Sequence, residues 1–384
     1  RNPPRFITTY PQDGGAAPAN SRAPRPFEWP MSHFTRKIRH YRCCHREPMA
    51  QNPAPATPTH AHARIKRALR DLLTDLDSRA RIELQGPMGV GKRSLARQLP
   101  NGVAKATHHR KTPSSAGVRQ IRVHPLTVAE LGLTTPRAFT TLLGRGGFPN
   151  QLWADHPPNT LPDHLSSVLG ASCNASGGFD MRASVGLWGA LTACVGRPLS
   201  IRAVAGAVGM PERKASAWAQ ALHAQHGFFT LAPLPSPTAD ATFRALKKGQ
   251  KHYPYDWSQG HTQHARLEAL VANHLLQWVE SSQDLAGEDR QLMYFRDCDQ
   301  REVDFVVLKH QRPEALIQID PLADQPNRHL AYLARKFPTA RAWQLSLGAS
   351  MAPVQAAGLT VIHPLAFLLG LPGCSLTPPA KPLK

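Results

Sequence analysis

The residues of this chain best suited to chemistry are the run Gly86, Pro87, Met88, Gly89, Val90, Gly91, Lys92, Arg93 and Ser94. Glycines let backbone N–H groups close around phosphate oxygens with no Cβ in the way, and a lysine at this spacing reaches the β- and γ-phosphates. The residue after the lysine should carry a hydroxyl that holds Mg²⁺. Arg93 stands there instead, and Ser94 comes one place late. One residue along a helix turns a side chain by about 100°, so Ser94 faces away from the metal. The loop is therefore expected to hold ATP weakly through Gly86, Gly89, Gly91, Lys92, Arg93 and Ser94, with Mg²⁺ doubtful and no catalytic residue assigned. Hydrolysis also needs a second acid to order Mg²⁺ and the attacking water. Between Arg93 and Asn150 the one carboxylate is Glu130, and no apolar run there ends in an acid.

Strand, loop, helix is the arrangement that positions such a loop. The alternation of Arg81, Ile82, Glu83, Leu84 and Gln85 predicts a strand entering it. A helix from Ser94 to Leu99, stopped by Pro100, leaves it, and Ile65, Leu69, Leu72, Leu73 and Leu76 predict an amphipathic helix upstream. The segment up to Asn150 is too short for the further crossovers of a parallel sheet, each taking ~30 residues. From Phe179 to Pro235 the pattern turns helical. Leu187, Leu191 and Val195 form one stripe, Ser200 and Gly209 bracket a short helix, and Arg213 to His226 form a third. A strand through Phe228 to Leu231 completes a winged-helix arrangement. Arg213 and Lys214 lie at the start of the third helix, where contacts to DNA would fall; the alternative is a packing module between domains. From His261 onward the pattern reads α/β, with a helix through Leu267 to Trp278 followed by strands at Met293 to Phe295, Val303 to Leu308, Ala315 to Ile319, Ala342 to Leu347 and Leu359 to Ile362.

Composition narrows the partners. With 46 Lys and Arg against 26 Asp and Glu, the formal charge is +20, which favours polyanions such as nucleic acid, although a high-GC genome also enriches arginine. Six cysteines in 384 residues make no disulfide framework, and Cys43, Cys44 and His45 lack zinc-ligand spacing. No signal peptide and no apolar run near the ~18 residues of a membrane span is present, which makes the cytoplasm the expected compartment. Protein partners are not specified.

Taken in order, these pieces resemble a family of prokaryotic AAA-type ATP-binding proteins whose C-terminal domain, of unknown function, is similar to PD-(D/E)xK nucleases. The likeness runs over the Gln85 to Lys92 loop, Pro125 to Leu131, Gly146 to Pro149, Lys251 to Trp257, Leu267 to Val271, Tyr294 to Asp297 and Arg301 to Phe305. Residues 1–59, rich in Pro, Arg, Ala and Asn with few periodic apolar positions, read as a disordered leader; the resemblance implies a multidomain α/β chain beyond it, with a truncated P-loop segment (60–150), a helical winged-helix domain (151–260) and a nuclease-like domain (261–384). It also implies that the ATPase core between the loop and Pro125 is missing, leaving a lone strand–loop–helix. In the last domain it places Glu268, Asp304, Gln318 and Asp320 at a vestigial nuclease-like site. There an amide replaces a carboxylate at Gln318, and an acid replaces the water-positioning lysine at Asp320. Asp304 could instead cap a strand edge or pair with Arg296. The chain is then a degenerate ATP-binding protein without turnover, a DNA-contacting scaffold with an inactive nuclease-like domain, or a decayed reading frame without function.

Overall fold

Arg81–Gln85 forms strand β1, as its alternation predicts, with Ile82 and Leu84 buried on one side. The computed structural model describes residues 81–99, 104–107, 118–153, 180–235, 249–320 and 325–371, all within one unit spanning residues 53–384. The expected leader, the helix read at 65–76 and the Cys43, Cys44 and His45 cluster lie outside the described residues.

The strand does not stand alone, which corrects the expectation of an isolated strand–loop–helix. Helix α1 (Lys92–Ala96) follows the loop, and strands β2 (Ala104–Thr107) and β3 (Val118–Arg122) flank β1, both parallel to it. Ile82, Leu84, Val90, Leu95, Ile121 and Val123 fill the small core under this sheet. Sequence patterning missed β2 and β3 because Ala-Lys-Ala-Thr and Val-Arg-Gln-Ile-Arg lack an apolar face dense enough to stand out from loop. Two short helices follow, α2 (Pro136–Arg145), capped by Thr135, and α3 (Pro149–Trp153).

The helical segment carries the three helices its pattern predicts. Helix α4 (Met181–Ala193) starts at Asp180, whose carboxylate accepts the N–H groups of Arg182 and Ala183. Helix α5 (Ile201–Val208) starts at Ser200 and ends at Gly209, where φ is 65° and glycine carries no Cβ penalty. Helix α6 (Glu212–Ala224) packs Trp218, Ala219 and Leu222 against Leu187, Trp188 and Val204.

Strands β4 (Phe228–Pro233) and β5 (Lys251–Pro254) form an antiparallel pair, and β4 also runs parallel to β6 (Arg290–Arg296) at Ala232 and Pro233. The sheet therefore continues across residue 260, where the sequence suggested a domain boundary. With β7 (Glu302–Lys309), β8 (Arg312–Ile319), β9 (Arg341–Leu345), β10 (Val354–Ala356) and β11 (Leu359–Ile362) it becomes an eight-stranded mixed sheet, ordered β10-β11-β9-β8-β7-β6-β4-β5. Helix α7 (Gln263–Ala286) covers one face; every residue from Leu267 to Ser281 is buried, as for a helix enclosed on all sides. Helix α8 (Arg328–Lys336) covers the other face through Leu330 and Leu333, and α9 (Pro364–Leu369) closes the edge of the α7 layer. Among the described residues no helix is long and apolar enough to cross a membrane.

Candidate functional site

The loop between β1 and α1 is tightly curled. Gly86, Gly89 and Gly91 take φ of 149°, 86° and 93°, while Pro87, Met88, Val90 and Lys92 stay on the negative side. Positive φ at these three positions bends the chain back sharply on itself, which glycine allows at no Cβ cost. Gly86 is irreplaceable for a second reason: a Cβ there would lie 2.1 Å from the carbonyl oxygen of Val123. Lys92 does not reach into solvent. Its ammonium donates to the carbonyls of Gly86 at 2.7 Å and Pro87 at 2.6 Å, inside the loop's own curve. Burial, and after it the neighbouring charge of Arg93, lowers its pKa to about 7. Arg93 and Ser94 are both exposed. The Mg²⁺ position fits poorly: a cation occupies the place of the hydroxyl, and β3, beside β1, ends in Arg122, where an acid would be wanted.

Arg122 has other work. Its guanidinium Nε lies 3.1 Å from both oxygens of Asp284, its Nη2 donates to Gln283 Oε1 at 2.8 Å, and its Nη1 sits 3.2 Å from Glu280 Oε1. The Arg122 backbone N–H also donates to Asp284 Oδ2 at 2.7 Å, and Arg119 donates to the Asp284 carbonyl. The loop-bearing sheet is thus clamped to the C-terminal half of α7. Next to the clamp, several of the sequence segments named above meet in space. Trp257 Nε1 donates to the Leu142 carbonyl at 3.0 Å, and the backbone of Gly147 passes so close that a Cβ would lie 2.2 Å from the Trp257 ring. Phe148 packs against the core of the loop sheet. His274 accepts the Val128 N–H at Nε2 while its Nδ1 meets the Leu270 carbonyl, a pairing that requires the neutral Nδ1–H tautomer.

The second candidate lies at the other end of α7. Asp304 on β7 neighbours Gln318 on β8, one place beyond the Phe305–Ile317 pair, and Glu268 comes down from α7. The pairing of β6 with β7 slips by one residue between Met293 and Phe295, leaving Asp304 and Phe305 opposite Tyr294. A bulge of this kind re-aims a side chain. Asp304 Oδ2 accepts from Gln318 Nε2 at 2.8 Å and from the Ile319 N–H at 2.9 Å. Asp304 does not pair with Arg296, which binds Glu302 instead. Its ionic partner is Lys251, at the start of β5, fully buried, with Nζ 2.6 Å from Glu302 Oε1, 3.4 Å from Asp304 Oδ1 and 3.6 Å from Glu268 Oε1. Tyr253 donates to Glu268 Oε1 at 2.7 Å. Burial would strip the Lys251 proton, but Asp304, Glu268 and Glu302 outweigh it and hold the ammonium above the ordinary lysine range. Asp320 joins no ion pair of this group among the described residues; its backbone N–H bonds Leu345. Three of the four expected residues therefore converge, and Lys251, Glu302 and Tyr253 join them. A divalent metal does not fit here: hard cations need oxygen ligands at about 2.0–2.6 Å, and Lys251 already sits among these same oxygens.

On α6, Arg213 is exposed and Lys214 is half-buried, its ammonium 4.7 Å above the Trp218 ring. The exposed face beyond them is Ala217, Gln220 and Ala224, without further cations. Comparisons with protein-family models, with curated proteins and with solved structures give no match to this chain.

Proposed function

We propose that the chain is a nucleotide-responsive P-loop protein of degenerate AAA type, holding the phosphate tail of ATP weakly and without turnover. One observation carries this: the Gly86 to Lys92 curve, with left-handed glycines and Lys92 folded inside it. Phosphate oxygens would take the ammonium from the two carbonyls it now meets, exchanging neutral acceptors for charged ones. Arg93, exposed at the mouth, adds a second cation in place of Mg²⁺. Without an acid at the end of β3, nothing orders an attacking water. Binding of a fluorescent ATP analogue, with and without Mg²⁺, tests this. The expected result is metal-independent binding lost in Lys92→Met; steady-state hydrolysis abolished by the same substitution would refute it.

The second reading is a winged helix that touches DNA, favoured by the helix–helix–helix–strand order of α4 to β4 and by exposed Arg213 at the start of α6. Association would draw on counterion release from a chain of charge +20. Arg213→Ala with Lys214→Ala should flatten its salt dependence by ~1–2 units. No mobility shift of duplex DNA at low salt would return these helices to packing.

A further inference from the structure

We propose that Lys251 is the resident cation of the Glu268, Glu302 and Asp304 cluster, an ammonium built into the fold where a metal-dependent nuclease would keep its divalent ion. The inference is independent of phosphate binding at Lys92, which lies in another part of the molecule.

The chemistry of each neighbour agrees with it. Three carboxylates this close repel one another unless a positive charge lies among them. Lys251 Nζ lies within 3.6 Å of all three, and Arg296 supplies a second charge to Glu302 from outside at 3.2 Å. The fourth position is Gln318, and an amide suits a metal-free corner better than a carboxylate would. Its Nε2 donates to Asp304 Oδ2, where an acid would add a further negative charge. The backbone just before Lys251 is pinned by two neighbouring segments. Leu199 N–H donates to the Gln250 carbonyl at 2.9 Å, and Tyr294 OH donates to the Gly249 carbonyl at 3.1 Å. The Tyr294 ring also lies 5.2 Å from the ammonium, a cation–π distance. Above Glu268 the chain comes closer than any side chain permits: a Cβ on Gly196 would lie 2.1 Å from Glu268 Oε2. The corner thus ties the turn after α4, β5, α7 and β7 to a single ammonium. Its role is to join the helical segment to the large sheet rather than to cut phosphodiesters.

The test is thermal melting followed by far-UV circular dichroism, with Mn²⁺ as the probe. The wild-type chain should melt at the same temperature with and without millimolar Mn²⁺. Lys251→Met should melt about 10 °C lower, as expected for orphaned buried charge, and Mn²⁺ should recover part of that loss. Glu268→Gln should raise the melting temperature in the Lys251→Met background and fail to raise it in the wild type. If Lys251→Met does not fold, the triple variant with Glu268→Gln and Asp304→Asn should fold and show no response to Mn²⁺. Four results would overturn the proposal: an unchanged melting temperature in Lys251→Met, no Mn²⁺ recovery in a folded Lys251→Met, an unfolded triple variant, or a wild-type Mn²⁺ stabilisation that Asp304→Asn removes.

Discussion

Asp284→Ala should loosen the sheet of β1, β2 and β3 from the rest of the molecule without melting α7. The Asp284 carboxylate accepts the Arg122 backbone N–H at 2.7 Å and faces the guanidinium through Nε at 3.1 Å. Its side chain is 9 % exposed and that of Arg122 is 30 % exposed. Losing the acceptor for a half-buried N–H costs about 1–2 kcal/mol. The charge pair adds about 1–2 kcal/mol, reduced because the guanidinium reaches water and keeps Glu280 and Gln283. The sum is about 3 kcal/mol, which at 1.4 kcal/mol per decade lowers protection about a hundredfold. Native-state hydrogen exchange reads this directly: the amides of β1 and β3 should exchange about a hundredfold faster, while those of Leu270 to Val279 in α7 keep wild-type rates. Asp284→Asn preserves an acceptor for the Arg122 N–H and should cost about half as much. Unchanged exchange in β1 and β3, or an equal rise across α7, would show that the clamp does not hold this sheet.

Three further outcomes follow from the same contacts. Because Lys92 has a pKa of about 7 in the free loop, and bound phosphate would raise it, nucleotide affinity should be level below pH 7 and fall by up to tenfold per unit above it; constant affinity into the alkaline range would mean that the ammonium does not meet the ligand. His274 is pushed down to about 4, first by burial, so the unfolded chain binds the extra proton as pH falls below 6.5. Stability should then decline by roughly 3 kcal/mol down to pH 4, and His274→Gln should flatten that limb in urea melts; an identical limb in the variant would assign acid sensitivity elsewhere. Gly196→Ala and Gly287→Ala both place alanine at left-handed φ, 75° and 65°, but only the first meets an atom, Glu268 Oε2. Gly287→Ala should cost ~1 kcal/mol and Gly196→Ala ~3 kcal/mol; equal costs would remove the close approach from the account of the carboxylate corner.

What the sequence disclosed tracks local encoding. Ser200 and Gly209 gave α5 because a cap and a stop act on backbone within three residues of themselves, whereas α4 was legible through its Leu187, Leu191 and Val195 stripe and its Asp180 cap was not read. Apolar runs gave β7 and β8 because both faces of each are covered, while α7 was legible as an amphipathic stripe through Leu267, Leu270, Val271, Leu275 and Trp278 although its polar positions are buried as well. The loop was legible as a loop because its glycines must adopt particular φ wherever the chain goes next. Strands β2 and β3 were not, since their pairing with β1 rather than their own pattern makes them strands. Helix α8 is short, and its buried positions, Leu330 and Leu333, are flanked by Arg328, His329, Arg335 and Lys336, so its apolar stripe is too brief to stand out.

The carboxylate corner shows why a partner can be unreadable when its acids are not. Glu268, Asp304 and Gln318 were found because their order along the chain suggested a known arrangement. Lys251 opens one of the segments of the likeness, Lys251 to Trp257, but it follows Lys247, Lys248, Gly249 and Gln250, and nothing in the sequence ties it to the acids. Yet it is the fully buried member of that stretch among the described residues, and it is 53 positions from Asp304. Only β5 lying at the sheet edge, with Leu231 opposite Lys251, carries it to the acids. That placement reverses the sense of the +20 charge at this point. Where exposed arginines and lysines favour polyanions, this lysine is spent on neutralising the interior, and so it belongs to the stability of the fold rather than to any surface that meets nucleic acid.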